Sequence, residues 1–266
     1  MSTFQNKTVL ITGGASGIGK LMASLALQKG AKVILWDINT TSIQATLSEF
    51  QALGTIFGYT VDITDLAAVK ATAVLVKNNH GTVDILINNA GIVVGKYFHE
   101  HTHEEINRTM AINANAPMHL TLEFLEGMLA QNSGHVCTIA SSAGLISNPK
   151  MSVYAASKWS AIGWSDSLRL EIKQLKKNIG VTTVTPYYIN TGMFDGVKSI
   201  VPILNPEKVA NQIIRGIERN KIFVSMPWSV GFVRFFQGLL PIRVFDWLVG
   251  DVMGVYATMD HFKGRQ

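Results

Sequence analysis

Apolar residues in this chain fall into short unbroken runs separated by longer segments of helix-like period. The runs KTVLIT (7–12), KVILWD (32–37), IFGYTVD (56–62), DILIN (84–88), HVCTIA (135–140), VTTVTP (181–186) and KIFVSM (221–226) predict seven strands. Continuous apolarity, without alternation, marks strands covered on both faces. Between them, the 3.6-residue period predicts helices over 18–28, 41–53, 66–78, 103–131, 153–176 and 206–220. Strand–helix alternation implies right-handed crossovers, hence a doubly wound α/β architecture: a seven-stranded parallel sheet with helices on both faces. No low-complexity linker and no fixed-period repeat breaks the pattern, so 1–266 reads as a single domain. Within it, 190–204 is expected to be a substrate loop and 227–266 a C-terminal lid or oligomer segment.

Composition narrows the class. Of 266 residues, 47% are hydrophobic and 15% charged, which excludes a disordered chain. Mean hydropathy is +0.23, high enough to ask about membranes. No run reaches the roughly 18 apolar residues of a spanning helix. The start, MSTFQNKTVLITGG, has no basic region followed by an apolar stretch, so no signal peptide is expected. The aromatic-rich segment 228–256 is interrupted by Arg234, Pro241, Arg243, Asp246 and Asp251. It reads as a substrate lid, an oligomer interface or a membrane-surface helix; apolarity and position favour the first two over peripheral membrane contact. The single cysteine, Cys137, excludes an intrachain disulfide and suits a reducing, cytoplasmic setting. It reads as a small core residue. The net charge of +5 is spread along the chain, and the cluster Lys173, Lys176 and Lys177 reads as a solvated helix face, with no nucleic-acid partner expected.

TGGASGIG (12–19) follows the first strand and opens the first helix. Gly13, Gly17 and Gly19, with Ser16 and Ile18 between them, would let backbone approach a pyrophosphate at a helix N-terminus. Asp37 ends the second strand, where a carboxylate accepts from a ribose diol and repels a 2′-phosphate. Asp37 therefore argues for NAD over NADP, although Lys20 could aid a phosphate. Asp62 closes the third strand near an expected adenine edge, and NNAG (88–91) suits a tight turn against a cofactor. YAASK (154–158) places Tyr154 and Lys158 one helical turn apart. An ammonium beside a phenol favours the phenolate and would make a proton donor and acceptor for an alcohol. The competing reading is a core tyrosine with a lysine directed to water.

TGxxxGIG, NNAG, Ser141 and Tyr154-x-x-x-Lys158, in that order, resemble the short-chain dehydrogenase/reductase family, with a Rossmann fold. The resemblance runs from the first strand to about residue 226. It implies Tyr154 as general acid or base, Lys158 lowering its pKa and holding a ribose, and Ser141 polarising the substrate oxygen. It also implies that Asn113 positions a water linking Lys158 to solvent. Ser142 is a second candidate for the serine role, but Ser141 has the family's spacing of 13 residues before the tyrosine. Cofactor contacts implied are Gly13, Ser16, Gly17, Ile18, Gly19, Asp37, Ile38, Asp62, Ile63, Asn89, Ala90, Gly91, Tyr154, Lys158, Pro186, Ile189 and Thr191. In TPYYINTGMF, Tyr187 stands where the family has glycine, so the local backbone departs from the pattern.

LWDIN (35–39), NTGMF (190–194), PEKVA (206–210) and MDHFKGR (259–265) resemble the branch of retinol and 17-beta-hydroxysteroid dehydrogenases. That branch implies a bulky apolar alcohol or ketone. Its members generally carry an apolar N-terminal anchor, so this sequence reads as a soluble or peripheral relative. The family also implies a homodimer or homotetramer through the fourth and fifth helices. The combined expectation is an NAD(H)-dependent oxidoreductase interconverting an alcohol and a carbonyl. The alternatives are an NADP(H)-dependent ketoreductase of acyl or xenobiotic carbonyls, and a non-catalytic dinucleotide-sensing protein. HEHTHEE (99–105) is read as a helix start with a Thr102–Glu105 capping box, and no metal is expected.

Overall fold

Thr8–Thr12 forms β1, every residue of it buried. The other strands are β2 (Lys32–Asp37), β3 (Ile56–Thr60), β4 (Ile85–Asn88), β5 (Gly134–Ile139), β6 (Ile179–Pro186) and β7 (Phe223–Met226). The computed structural model describes residues 3–264, so Arg265 of the MDHFKGR stretch lies outside the described residues, as do Met1, Ser2 and Gln266. The strands form one seven-stranded sheet in the order β3-β2-β1-β4-β5-β6-β7. Every pairing is parallel, with Val9 opposite Val33 on one side and Ile85 on the other.

Successive strand residues feed opposite faces. Val9, Ile11, Val33 and Leu35 pack with Met22, Ile213 and Ile217 on one face. Leu10, Ile34, Trp36 and Leu86 pack with Leu120, Phe124 and Leu168 on the other. Each large side chain buried this fully contributes about 1.5–3 kcal/mol of transfer free energy. The helices that supply these layers are α1 (Gly17–Gln28), α2 (Thr40–Phe50), α3 (Leu66–His80), α4 (His103–Met110), α5 (Ala116–Ala130), α6 (Ser152–Gln174) and α7 (Pro206–Glu218). The chain order reverses between β1 and β4, which opens a crevice at the strand carboxyl ends.

The structure departs from the sequence pattern at three places. The helix expected over 103–131 is α4 and α5 joined by a π-turn at Ala111–Asn115. The strand expected over 56–62 stops at Thr60, and Asp62 closes the following turn by accepting from Thr64 N and Oγ1 at 2.9 and 2.7 Å. The region after β7 folds into short helices: a 3-10 turn Trp228–Phe232, α8 (Val233–Leu239), α9 (Ile242–Asp246) and a π-turn Trp247–Val252. Thr102 and Glu105 do form the capping box, with bonds of 3.2 and 2.8 Å.

Candidate active site

The glycine loop sits where β1 meets α1. Gly13 and Gly17 have φ of +60° and +54°, a region that favours glycine. A Cβ on Gly13 would stand 3.0 Å from Ala90 Cα, so the loop presses on the turn after β4. Asn89 locks that contact by donating from Nδ2 to the carbonyls of Thr12 and Gly13 at 2.9 and 3.1 Å. Thr12 Oγ1 accepts from the amides of Asn89 and Ala90 at 3.0 and 3.1 Å. Helices α2, α3, α4 and α7 are capped by the side chains of Asn39, Asp65, Thr102 and Asn205. Helix α1 has neither a side-chain cap nor a first-turn acid, so its terminal amides and positive dipole end are free for an anion.

One cleft collects most of the predicted residues. Gly13, Ser16, Gly17, Ile18, Asn89, Ala90, Gly91, Ser141, Tyr154, Lys158, Pro186, Ile189 and Thr191 all line it. Gly19 lies under the loop, where a Cβ would strike the Gly13 carbonyl. Asp37, Ile38, Asp62 and Ile63 stand outside the cleft wall. Asp37 ends β2 and accepts from the amides of Ala15 and Asn39, each at 3.1 Å. Ile38 is exposed, and Ile63 packs on the core. Lys20 is held by Glu49 at 2.6 Å.

Tyr154 and Lys158 share the first turns of α6, and both are buried, so the lysine is not directed to water. Lys158 Nζ donates to the Ile139 carbonyl at 3.0 Å. Burial pushes its pKa down to about 8. Burial pushes the Tyr154 phenol up to about 12, opposed by a hydrogen bond from Ser141. Burial thus acts on the phenol against the draw toward neutrality expected of Lys158. Ser141 Oγ accepts from Ala143 N at 3.1 Å and caps the turn Ser142–Gly144.

Asn113 sits in the π-turn, buried behind the cleft. Its Oδ1 accepts from Ile92 N at 2.9 Å; its Nδ2 donates to Ile92 O at 2.9 Å and Ser157 Oγ at 3.1 Å. The cleft wall also includes Ile139, Ala140, Tyr187, Met193 and Phe194, which motif reading did not single out as contacts. A second recess, lined by Ser141, Ser142, Ile146, Asn148, Tyr187, Tyr188 and Val255 among others, adjoins the first through Ser141 and Tyr187. The Phe194 ring packs edge-on to Tyr154 and Tyr188, at centroid distances of 6.1 and 5.0 Å. Among the described residues, no three His, Cys, Asp or Glu side chains gather as a metal site.

Known proteins are similar to this chain in sequence and in fold. Residues 7–200 match the family model described as short chain dehydrogenase. Epidermal retinol dehydrogenase 2 of Mus musculus is 36% identical over 265 residues, covering 97% of this chain and 85% of that protein. Estradiol 17-beta-dehydrogenase 11 of Macaca fascicularis is 34% identical over 238 residues, covering 88% and 79%. A short chain dehydrogenase/reductase from Burkholderia phymatum in complex with NAD shares the fold, with a TM-score of 0.83 at 24% identity over 92% of this chain and 97% of that one. With its sequence match and its glycine loop, Ser141, Tyr154 and Lys158 gathered at one cleft, the chain belongs to the short-chain dehydrogenase/reductase family, oxidoreductases that act on CH–OH groups with NAD(P) as acceptor.

Proposed function

We propose that the chain is an NAD(H)-dependent oxidoreductase interconverting an alcohol and a carbonyl on a bulky apolar substrate. Asp37 carries the cofactor preference. Its carboxylate is anchored at the end of β2 by the amides of Ala15 and Asn39. A ribose diol donates to such a group, whereas a 2′-phosphate would meet like charge. Lys20, the cation that could offset that charge, is engaged by Glu49.

The residues fit a dinucleotide. The uncapped start of α1 suits a pyrophosphate. At Gly17 a Cβ would meet nothing nearer than Thr191, 3.9 Å away, so the backbone there faces open cleft. Gly13, Ser16, Ile18, Asn89, Ala90, Gly91, Pro186, Ile189 and Thr191 would hold the rest, with Asp37 and Asp62 toward the adenosine end. When bound, the dinucleotide supplies the two-electron redox chemistry.

The chain's own residues manage the proton. Tyr154 as a phenol gives its proton to the carbonyl oxygen in reduction, and as a phenolate takes the proton of the alcohol in oxidation. Ser141 holds that oxygen with a neutral donor. Lys158 steadies the ribose, and Asn113 positions a water that leads from Lys158 to solvent. The aromatic wall of Tyr187, Tyr188 and Phe194 supports a bulky apolar substrate, in line with the retinoid and steroid named in its relatives. Exposed Leu122 on α5 and Trp159 and Leu170 on α6 support a homodimer or homotetramer.

Calorimetric titration of NAD and NADP into wild type and Asp37→Ala tests the cofactor reading. Tight NAD binding with weak NADP binding, the difference vanishing in Asp37→Ala, is the expected result. A wild-type preference for NADP would sink it.

A further inference from the structure

The segment after β7 wears its apolar side outward. In α8, Phe235 and Leu239 are 62% and 63% exposed. The polar Gln237 of the same helix turns inward, donating from Nε2 to the Leu145 carbonyl at 2.7 Å. The neighbouring turns repeat this arrangement. Trp228, Ile242 and Trp247 are exposed, while Val230, Val233, Phe245 and Val249 pack inward around Leu145 and Ile162. A helix lying against water shows the opposite pattern. Exposed apolar residues this dense mark an interaction surface. Ile200, exposed on the loop that carries Met193 and Phe194, extends the face: its Cδ1 lies 3.6 Å from where a Gly254 Cβ would stand.

One border of this face is basic, while Asp251 of the same segment is exposed. Arg215, Arg219 and Lys221 line a groove together with Trp228, and no carboxylate lines it. The Arg234 guanidinium lies 5.0 Å over the Phe223 ring. None of these four cations forms an ion pair among the described residues.

We propose that 228–253 and the Arg215–Arg219–Lys221 groove form a docking face for an anionic lipid bilayer. Short helices presenting Trp, Phe and Leu beside unpaired cations match the chemistry of the headgroup boundary. No helix among the described residues is long and apolar enough to cross a membrane, so this contact is with one leaflet. A second copy is the weaker occupant, because a self-complementary patch would bring the basic borders of two chains together. Val255, just beyond the face, lines the recess beside Ser141. The docked face thus stands next to the site, and an apolar ligand could pass from bilayer to recess with little exposure to water.

Flotation with vesicles of phosphatidylcholine alone, and of equimolar phosphatidylcholine and phosphatidylserine, tests this without reference to turnover. Wild type is expected to float with the anionic vesicles and to be released as salt rises. Phe235→Ser with Leu239→Ser should weaken binding at least about tenfold, through loss of buried apolar area. Arg219→Glu with Lys221→Glu should cost about fivefold per cation removed. Trp228→Ser, outside α8, gives an independent reading should the double serine variant melt early. Three outcomes would overturn the proposal: no flotation with either vesicle, equal binding to both, or sedimentation of lipid-free wild type as a dimer that the serine variants dissolve.

Discussion

The Lys158 ammonium stands 5.7 Å from the centre of the Tyr154 ring, and its hydrogen bond goes to the Ile139 carbonyl. Burial shifts both groups toward their uncharged forms: the phenol rises to about 12 and the ammonium falls to about 8. A phenol in this state is a proton donor at neutral pH. Tyr154→Phe should therefore lower kcat by about 10²–10⁴-fold while leaving dinucleotide affinity near wild type. Steady-state kinetics beside calorimetry checks it, and unchanged turnover would remove Tyr154 from the mechanism.

Lys158 also makes stability depend on pH. Its pKa is about 8 folded against 10.5 as a free side chain. Between those values the unfolded chain binds more protons, so stability rises with pH across that window. Tyr154 opposes only above its ordinary value of 10, where the unfolded chain loses a proton that the folded phenol keeps. Lys158→Met should be most stable relative to wild type at neutral pH, its advantage shrinking as pH passes from about 8 toward 10. Urea midpoints across that range, without dinucleotide, measure the difference.

Asn113 joins the π-turn to the strand exit at Ile92 and to Ser157. Asn113→Leu leaves the Ile92 amide and carbonyl without these partners, at about 1–3 kcal/mol per group. Ser157→Ala removes one of Asn113's partners but leaves its Nδ2 bonded to Ile92 O, and should cost only about 1 kcal/mol. Denaturant midpoints at constant slope should rank the two in that order. Equal losses would mean that Asn113 does not brace this junction.

The two loop glycines should fail differently. Gly17→Ala keeps its space but adopts a left-handed backbone at φ +54°, costing about 1–2 kcal/mol. Gly19→Ala drives its methyl into the Gly13 carbonyl, with Asn89 Nδ2 only 2.6 Å away. Backbone cannot yield as a flexible side chain does, so the loss should reach about 3 kcal/mol. Both should weaken dinucleotide binding. A melting scan with parallel titration separates the effects.

The sheet was readable because Val9, Leu10 and Ile11 are all fully buried, leaving an unbroken apolar run where a half-covered strand would alternate. The cleft was readable where its residues share a local turn, as at Gly13–Gly17 and Asn89–Gly91. Tyr187 and Phe194 were not, since their place in the wall depends on packing with Tyr154 and Phe262 from distant segments. The break at Ala111–Asn115 was also invisible. The Asn113 partners at that break are supplied by Ile92 and Ser157, far along the chain. The C-terminal helices carried a plain apolar signal but no indication of which side faced inward, and Gln237 shows that the inward side is partly polar.

The π-turn at Ala111–Asn115 has a consequence for how this chain tolerates change in length. Each residue advances a helix by about 100°, so the extra residue resets the rotational phase of α4 against α5. Leu120 and Phe124 can face the sheet while the Thr102–Glu105 cap and Asn113 keep bearings of their own. Deleting one residue from the turn would restore a straight helix and force one half to swing. The turn acts as a phase joint between the core half and the site half of one long helical span.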